Sequence, residues 1–178
     1  SYKLLKKLEE AGFVREVQES EPGSGIVNFV YSSPRIKKVL TTAGEILEIY
    51  AYYDVLKTGY FDDVASGYEF CWESGGVKNE LDLVLTKGFH SIIVECKAVV
   101  ELKLDFYHKL HSIADQFGIG TTKVLLGNTY AKKNDVTQDN NTMQRSRGEQ
   151  LHIRTISEEA EIRSIGETLK KIMEEKVF

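Results

Sequence analysis

With 178 residues, 42% of them hydrophobic and 28% charged, the chain is long enough for one domain with a sizeable core and a small appendage. The formal net charge of −4 argues against a dedicated duplex-binding protein, because such proteins carry a basic excess. No apolar run approaches the length of a membrane span, so we expect no membrane anchor. Cys71 and Cys96 are isolated and lack metal-ligand spacing, which predicts that both are reduced core thiols of a cytoplasmic protein.

Residues 1–34 are predicted to form a small arm or linker. Leucines recur at helical spacing over residues 2–11 and predict a helix, and residues 13–19 and 26–32 predict two strands. A helix followed by a hairpin resembles part of a winged-helix unit. Its charges are mixed, so we favour an interdomain spacer or dimer arm over a nucleic-acid reader. The chain opens almost directly into this helix, and we expect it to be a piece of a longer protein.

A second domain is predicted over residues 35–178. Thr42 and Glu45 match the capping-box pattern S/T-x-x-E, which predicts a helix that opens here and runs to about residue 57. Glu45 would then serve the cap, whereas Glu48 lies one turn on and flanks the apolar stripe. From that flank the Glu48 side chain could reach a site at the edge of a sheet. The stripe that is predicted to face the core consists of Ile46, Ile49, Tyr50 and Tyr53.

Three strands are predicted next, over residues 67–73, 79–86 and 90–97, in an antiparallel meander. The first strand carries Trp72, which we interpret as a packing anchor. The second strand alternates, which predicts one apolar face made of three leucines, Leu81, Leu83 and Leu85.

Polar residues gather at the end of the last two strands. Glu95 and Lys97 are two apart, so their side chains share a face, and Cys96 points to the other side. Asp82 lies on the non-leucine face of the partner strand, and the hairpin can bring it beside Glu95. Two carboxylates and a lysine are costly to bury unless something compensates them, and a divalent cation such as Mg²⁺ would do so. A structural salt bridge between Lys97 and one acid is the alternative.

From residue 90 onward the predicted order is strand, helix, strand, helix, strand, helix. The elements are a helix over 104–117, a buried strand over 123–127, a mobile polar loop over 129–142, a short helix over 143–150, a strand over 151–156 and a closing helix over 158–176. Together with the meander, this order predicts a mixed sheet flanked by helices, an α/β (α+β) fold.

Asp82 followed by Glu95-Cys96-Lys97 resembles the D…(D/E)-x-K signature of the PD-(D/E)XK nuclease superfamily, with Leu81 in place of the proline. A wider string resembles the C-terminal nuclease domain of type III CRISPR-associated effectors, whose N-terminal CARF domain senses cyclic oligoadenylate. The resemblance covers residues 36 to about 155 and rests on Gly44-Glu45-Ile46-Leu47-Glu48, Trp72, Asn79-Glu80-Leu81-Asp82 and Glu95-Cys96-Lys97.

The resemblance implies a restriction-endonuclease-like fold and a metal-dependent endonuclease with Mg²⁺ or Mn²⁺ as cofactor. Its substrate would be single-stranded RNA or DNA, or DNA that it nicks. Asp82, Glu95 and the Cys96 carbonyl are expected to bind the metal with help from Glu48, and Lys97 to orient the attacking water. The resemblance also implies a homodimer and a CARF sensor outside this chain.

Two other functions stay open. A PD-(D/E)XK fold can be a catalytically inactive binding or structural module, although all four expected site residues are present here. A metal-independent ribonuclease would use His108 or His111 as general acid and base, but His111 falls on the apolar stripe of its helix. The sequence does not distinguish RNA from DNA. Weaker candidates for substrate contacts are Tyr107, Lys109, Gln116, Arg145 and Arg147.

Overall fold

The computed structural model describes residues 2–21, 23–42, 44–71, 78–118, 120–129 and 135–177. Contacts divide the chain into two compact units, Ser1–Glu45 and Ile46–Phe178. The first unit therefore includes a further helix beyond the arm predicted over residues 1–34. None of the helices in the described ranges is long and apolar enough to cross a membrane.

The first unit consists of α1 (Tyr2–Glu10), β1 (Val14–Glu19), β2 (Val27–Tyr31) and α2 (Pro34–Thr41). The two strands pair antiparallel, so the predicted helix and hairpin are confirmed. The Glu9 carboxylate ties α1 to the hairpin, because it accepts a hydrogen bond of 2.9 Å from the Val17 N–H. None of the α1 residues is buried, and this unit has little core of its own.

The second unit is a five-stranded mixed sheet flanked by helices, as predicted. Its strands are β3 (Asp63–Cys71), β4 (Lys78–Lys87), β5 (His90–Val99), β6 (Thr121–Thr129) and β7 (Ile153–Ile156), in that spatial order. β3, β4 and β5 pair antiparallel, and β6 and β7 continue in parallel. Its helices are α3 (Glu45–Lys57), α4 (Leu104–Ala114) with a following 3-10 turn (Asp115–Phe117), α5 (Asp135–Gln150), α6 (Glu159–Arg163) and α7 (Ile165–Val177).

The sheet has two covered faces, which we call the α3 face and the α4 face. β5 is buried on both of them, and this explains why its sequence is a nearly continuous apolar run. The α3 face packs strand residues such as Leu83, Val94, Cys96 and Leu126 against α3 and α7. The α4 face packs Leu81, Ile93, Leu125 and Ile153 against Tyr107, Leu110 and Ile113 of α4.

The predicted orientation of α3 is wrong. Its buried residues are Leu47, Ala51 and Val55, whereas all four residues of the predicted stripe, Ile46, Ile49, Tyr50 and Tyr53, are exposed. Apolar residues occur all round this helix, so their spacing does not single out one face.

The predicted capping box is also absent from the described residues. The Thr42 N–H donates to the Lys38 carbonyl at 2.8 Å as the C-cap of α2, and so it is not available to Glu45. The Glu45 carboxylate instead lies 3.0 Å from the Lys38 Nζ. Glu45 is the first residue of α3, and the side chain that caps a helix in this region belongs to Ser33, at the start of α2.

The C-terminal half differs from the prediction in three further places. Residues 135–142 belong to α5 rather than to a mobile loop, and residues 130–134 lie outside the described part. The predicted closing helix is broken at Ser164 into α6 and α7. The helix predicted over 104–117 ends as an α-helix at Ala114, and Asp115–Phe117 form a 3-10 turn. Cys96 is buried, but Cys71 is exposed, so the prediction of a core thiol is wrong for Cys71. Trp72 also lies outside the described residues, so its packing role stays a prediction.

Candidate active site

The site forms where β4 and β5 separate. Among the described strand residues, their pairing runs from Lys87–His90 to Leu83–Val94 and goes no further. Beyond that point the Asp82 carboxylate takes the place of a backbone acceptor, because its Oδ2 accepts a hydrogen bond of 2.6 Å from the Cys96 N–H. The pairing between the two strands is therefore replaced by a side chain that bridges them.

The strands change their alternation at the same point. Leu83 lies on the α3 face but Leu81 lies on the α4 face, so the predicted single leucine face is wrong. On β3, Gly67 stands opposite Asp82, has φ of 60°, and is skipped by the otherwise continuous β3–β4 pairing. A glycine inside a strand marks such a break, and Gly67 is its signal in the sequence.

Glu95 and Lys97 share the α4 face with Ile93, while Cys96 is buried on the α3 face. The Lys97 Nζ lies 2.6 Å from Glu95 Oε1 and 3.8 Å from Asp82 Oδ2. It also donates to the Cys96 carbonyl oxygen at 3.1 Å. Two carboxylates and one carbonyl thus converge on a single ammonium group.

A second lysine approaches from α4. The Lys109 Nζ lies 3.1 Å from the same Glu95 Oε1, and its side chain is half exposed. Lys97 is more enclosed, with its Nζ 5.7 Å from the centre of the Phe106 ring. Glu95, which is almost completely buried, therefore faces one inner and one outer lysine.

These two lysines do not fully compensate the buried carboxylates. Burial raises the pKa of Asp82 to about 6, and repulsion from Glu95 adds to this, against the opposing effects of the Cys96 N–H, Lys97 and Lys109. Burial alone would lower the pKa of Lys97, but the charges of Glu95 and Asp82 outweigh it and raise that pKa. The anionic form of the site is therefore short of positive charge at neutral pH.

Glu48 lies on α3, beside the buried Leu47 and Ala51. Its charge is felt at the Cys96 thiol, whose pKa is raised by burial first and then by Asp82, Glu48 and Glu95. In the described ranges, no group of three or more His, Cys, Asp and Glu side chains is arranged to hold a metal ion. The expectation that Glu48 helps Asp82 and Glu95 to bind a metal stays a prediction.

The weaker substrate candidates are dispersed. Tyr107 is 0% exposed and its hydroxyl pairs with Thr155 Oγ1 at 3.0 Å, so its predicted contact with substrate is wrong. Gln116 is exposed in the turn after α4, about 10 Å of helix beyond Lys109. Arg145 pairs with Glu158 at 3.5 Å, and Arg147 is exposed on α5. Of the five candidates, the contacts place Lys109 at the carboxylates.

The histidine candidates for metal-independent catalysis are not arranged as a pair. His108 is exposed, whereas the His111 Nδ1 lies 2.9 Å from the Lys123 Nζ. The same lysine donates to Asp115 Oδ1 at 2.9 Å, and His111 Nε2 lies 3.2 Å from Asp115 Oδ2. His111 is thus engaged in a second lysine–acid cluster, which we call the Lys123 cluster.

Comparison with known proteins agrees with this geometry. The family model of the Card1-like endonuclease domain matches residues 36–176. No curated protein sequence matches the chain.

Two solved structures share the fold. Can2 from Sulfobacillus thermosulfidooxidans, solved in complex with cyclic tetra-adenylate (cA4), has a TM-score of 0.65 and 17% identity, over 96% of this chain and 45% of that chain. Protein VC1899 from Vibrio cholerae has a TM-score of 0.67 and 19% identity, over 96% of this chain and 42% of that chain. The chain therefore spans less than half the length of either structure.

Proposed function

The chain belongs to the Card1-like endonuclease domain family, and from this premise we propose that it is the metal-dependent nuclease domain of a CRISPR-linked antiviral protein. Its reaction would be hydrolysis of phosphodiester bonds in single-stranded RNA or DNA, or nicking of DNA. The observation that carries the proposal is the convergence of Asp82, Glu95 and the Cys96 carbonyl on one cationic group.

Mg²⁺ or Mn²⁺ fits this set of oxygen donors. Such hard cations take one or two protein carboxylates, accept carbonyl oxygens and keep several waters. Asp82, Glu95 and the Cys96 carbonyl would hold the ion, and Glu48 would act on its waters from α3. When bound, the metal supplies an activated water and neutralises charge on the phosphate. The raised pKa of Asp82 supports the proposal, because it indicates a place that favours added positive charge.

The lysines have separate tasks in this proposal. Lys97 is enclosed, keeps its charge at neutral pH and has three donors, so it can orient the attacking water or stabilise charge that develops on the phosphate. Lys109 reaches Glu95 from the open side and is half exposed. It would turn from Glu95 to a backbone phosphate of the substrate, where an ammonium acts as a point charge.

Control would come from outside this chain. The match spans less than half of each structural neighbour, and one of those neighbours was solved with cyclic tetra-adenylate. We propose that a sensor domain for a cyclic oligoadenylate governs the nuclease, that the whole protein is a homodimer, and that the present chain alone cleaves slowly.

A catalytically inactive binding module is the second candidate. It is favoured by one observation, namely that Lys97 and Lys109 both pair with the buried Glu95 carboxylate. In that case Asp82, Glu95, Lys97 and Lys109 would form an internal salt-bridge network with a structural role.

A digestion assay separates the two candidates. Labelled single-stranded RNA, single-stranded DNA and supercoiled plasmid are incubated with the chain in Mg²⁺, Mn²⁺ or EDTA, beside the Glu95→Gln variant. The nuclease proposal expects cleavage of at least one substrate that needs a metal and is lost in the variant. Cleavage that persists in EDTA, or none with any metal, would contradict it.

A further inference from the structure

The break at Gly67 also turns a tyrosine toward the site. Tyr68 pairs with Leu81 across β3 and β4, and directly opposite residues point to the same face. Leu81 lies on the α4 face, together with Ile93. Glu95 and Lys97 follow Ile93 on that face at two-residue spacing. Tyr68 therefore stands on the same side of the sheet as the carboxylates and lysines.

The Tyr68 ring is exposed but firmly supported. It is 49% exposed and stacks on the Phe70 ring, with centroids 6.4 Å apart and planes inclined by 23°. Phe70 packs against the core of the α4 face, and the Phe117 ring contacts it edge-on at 5.6 Å. Tyr68, Phe70 and Phe117 thus form an aromatic ladder that packs against the core through Phe70. Its outermost ring, Tyr68, is open to solvent.

The position of this ladder matches a strand of nucleic acid better than an apolar partner. Tyr68 directly follows Gly67, which stands opposite Asp82. Because β4 lies between β3 and β5, Tyr68 is about two strand spacings, or about 10 Å, from β5. The half-exposed Lys109 lies beside Glu95 on the same face and provides a cation for a phosphate backbone. A ring for a base and a cation for a phosphate are the two elements of single-strand recognition.

We infer that Tyr68, supported by Phe70 and Phe117, is a stacking platform for an unpaired base of the strand whose backbone meets Asp82 and Glu95. This inference rests on the proposed function and adds a binding residue to it. Stacking tolerates any base, since every base has a π face, but it requires a base that is not paired. The platform would therefore favour single-stranded regions over intact duplex.

Phe89 offers a matched control. It is 103% exposed at the turn between β4 and β5, at the other end of these strands from the site, and no aromatic contact to it is found among the described residues. Removal of an exposed ring there tests the general effect of losing an aromatic side chain. Tyr68→Phe retains the ring, and Tyr68→Leu retains apolar area without it.

The test measures binding in the Glu95→Gln background, so that the strand stays intact. Anisotropy of a short labelled oligothymidylate or oligouridylate gives Kd, and a strand with 2-aminopurine reports stacking by quenching. We expect Tyr68→Ala and Tyr68→Leu to weaken binding at least about fivefold and to relieve the quenching. Tyr68→Phe and Phe89→Ala should stay within about twofold of the parent, and duplex binding should not depend on Tyr68.

Other results would overturn the inference. Unchanged Kd and quenching in Tyr68→Ala would do so, as would an equal loss in Phe89→Ala. A Tyr68→Ala variant that binds strands normally but changes its sedimentation would identify a protein contact instead.

Cleavage by the wild-type chain, assayed in parallel, keeps the two proposals apart. Tyr68-dependent binding without any cleavage contradicts the nuclease but supports the platform. Cleavage with Tyr68-independent binding contradicts the platform alone. No binding by any of the proteins contradicts the platform.

Discussion

Two lysine–carboxylate clusters lie along α4, and they differ in an instructive way. In the first, Lys97 and Lys109 face Asp82 and Glu95. In the second, the Lys123 cluster, one buried lysine faces Asp115 beside His111. Each cluster has as many lysines as carboxylates, so a count of charges does not distinguish them.

Burial distinguishes the clusters. The Asp115 side chain is 49% exposed, and the hydrogen bond from Lys123 lowers its pKa. The Asp82 side chain is only 12% exposed, and burial raises its pKa to about 6 despite two lysines nearby. In the Lys123 cluster, the Lys123 ammonium compensates the charge of Asp115. The first cluster still favours added positive charge, because the pKa of Asp82 stays raised. The comparison therefore favours a structural role for the Lys123 cluster and supports the proposed cation-dependent role of the first cluster.

The largest expected effect is the loss of cleavage in Glu95→Gln. Loss of a contact one step removed from a metal costs about 10- to 100-fold, so loss of a ligand should exceed about a thousandfold. Asp115→Asn, the matched change in the Lys123 cluster, should leave cleavage within about twofold. Single-turnover cleavage of a labelled strand measures both. Similar losses in the two variants would remove the distinction between the clusters.

Lys97→Ala comes next, with cleavage reduced by about a hundredfold, as for other lost donors to developing charge. Mn²⁺ should still bind, because Asp82, Glu95 and the Cys96 carbonyl remain, and this is measured by calorimetry. Lys97→Arg should rescue poorly, since a planar fork does not replace a compact ammonium. Lys123→Ala is the control and should cleave normally. Retained cleavage in Lys97→Ala would favour the structural salt-bridge reading.

Asp82 and Asp115, one from each cluster, should also affect stability with opposite sign. The folded pKa of Asp82, about 6, exceeds the unfolded value of about 3.9, so the folded protein takes up this proton first as pH falls. The unfavourable contribution of ionised Asp82 is complete above about pH 7 and vanishes below about pH 4. Asp82→Asn should thus raise the free energy of unfolding by about 1–3 kcal/mol at about pH 8 and by little at acidic pH.

Urea unfolding in EDTA at about pH 8 and about pH 4.5 measures this. Asp115→Asn provides the opposite case. Its carboxylate has a lowered pKa, so it stabilises the folded state above the unfolded pKa and loses that effect as pH falls. The variant should be less stable than the parent near pH 8. A destabilised Asp82→Asn at that pH would show that the lysines already compensate both buried acids.

Glu48→Gln should have a smaller effect, about a tenfold loss of cleavage, as for a residue that acts through another ligand. Glu45→Gln is the control on the same helix. Its carboxylate pairs with a largely exposed lysine, Lys38, so the change should cost less than about 1 kcal/mol and leave cleavage intact. Equal losses of cleavage in both would point to a general effect on the start of α3.

The sequence predicted the elements of the sheet and the convergence of Asp82, Glu95 and Lys97 better than it predicted orientations. Glu95 and Lys97 are two apart on one strand, so their shared face follows from strand geometry alone. The burial of Asp82 depends on a break in pairing with two neighbouring strands, and although Gly67 signals a break on β3, its position opposite Asp82 follows only from the strand pairing. The orientation of α3 likewise depended on what covers it, because apolar residues surround the helix. Long-range packing decided both.

The last and smallest effect concerns the break in the β3–β4 pairing at Gly67. Gly67 has φ of 60°, a conformation that L residues rarely adopt, but a Cβ there would meet only Glu80 Oε1 at 3.5 Å. Gly67→Ala should therefore cost about 1 kcal/mol through its backbone alone. Gly88 has φ of 58° and open space around its Cβ position, so Gly88→Ala should cost the same.

Cleavage separates the two glycines. Gly67 lies opposite Asp82, where the alternation of β3 and β4 changes, and relaxation of its strained backbone would shift the carboxylate that Cys96 and Lys97 share. Gly88 lies in the turn at the far end of the hairpin. We expect a severalfold loss of cleavage in Gly67→Ala and none in Gly88→Ala, with matched thermal melts. Equal activity would mean that the Cys96 N–H alone fixes Asp82 in its buried position.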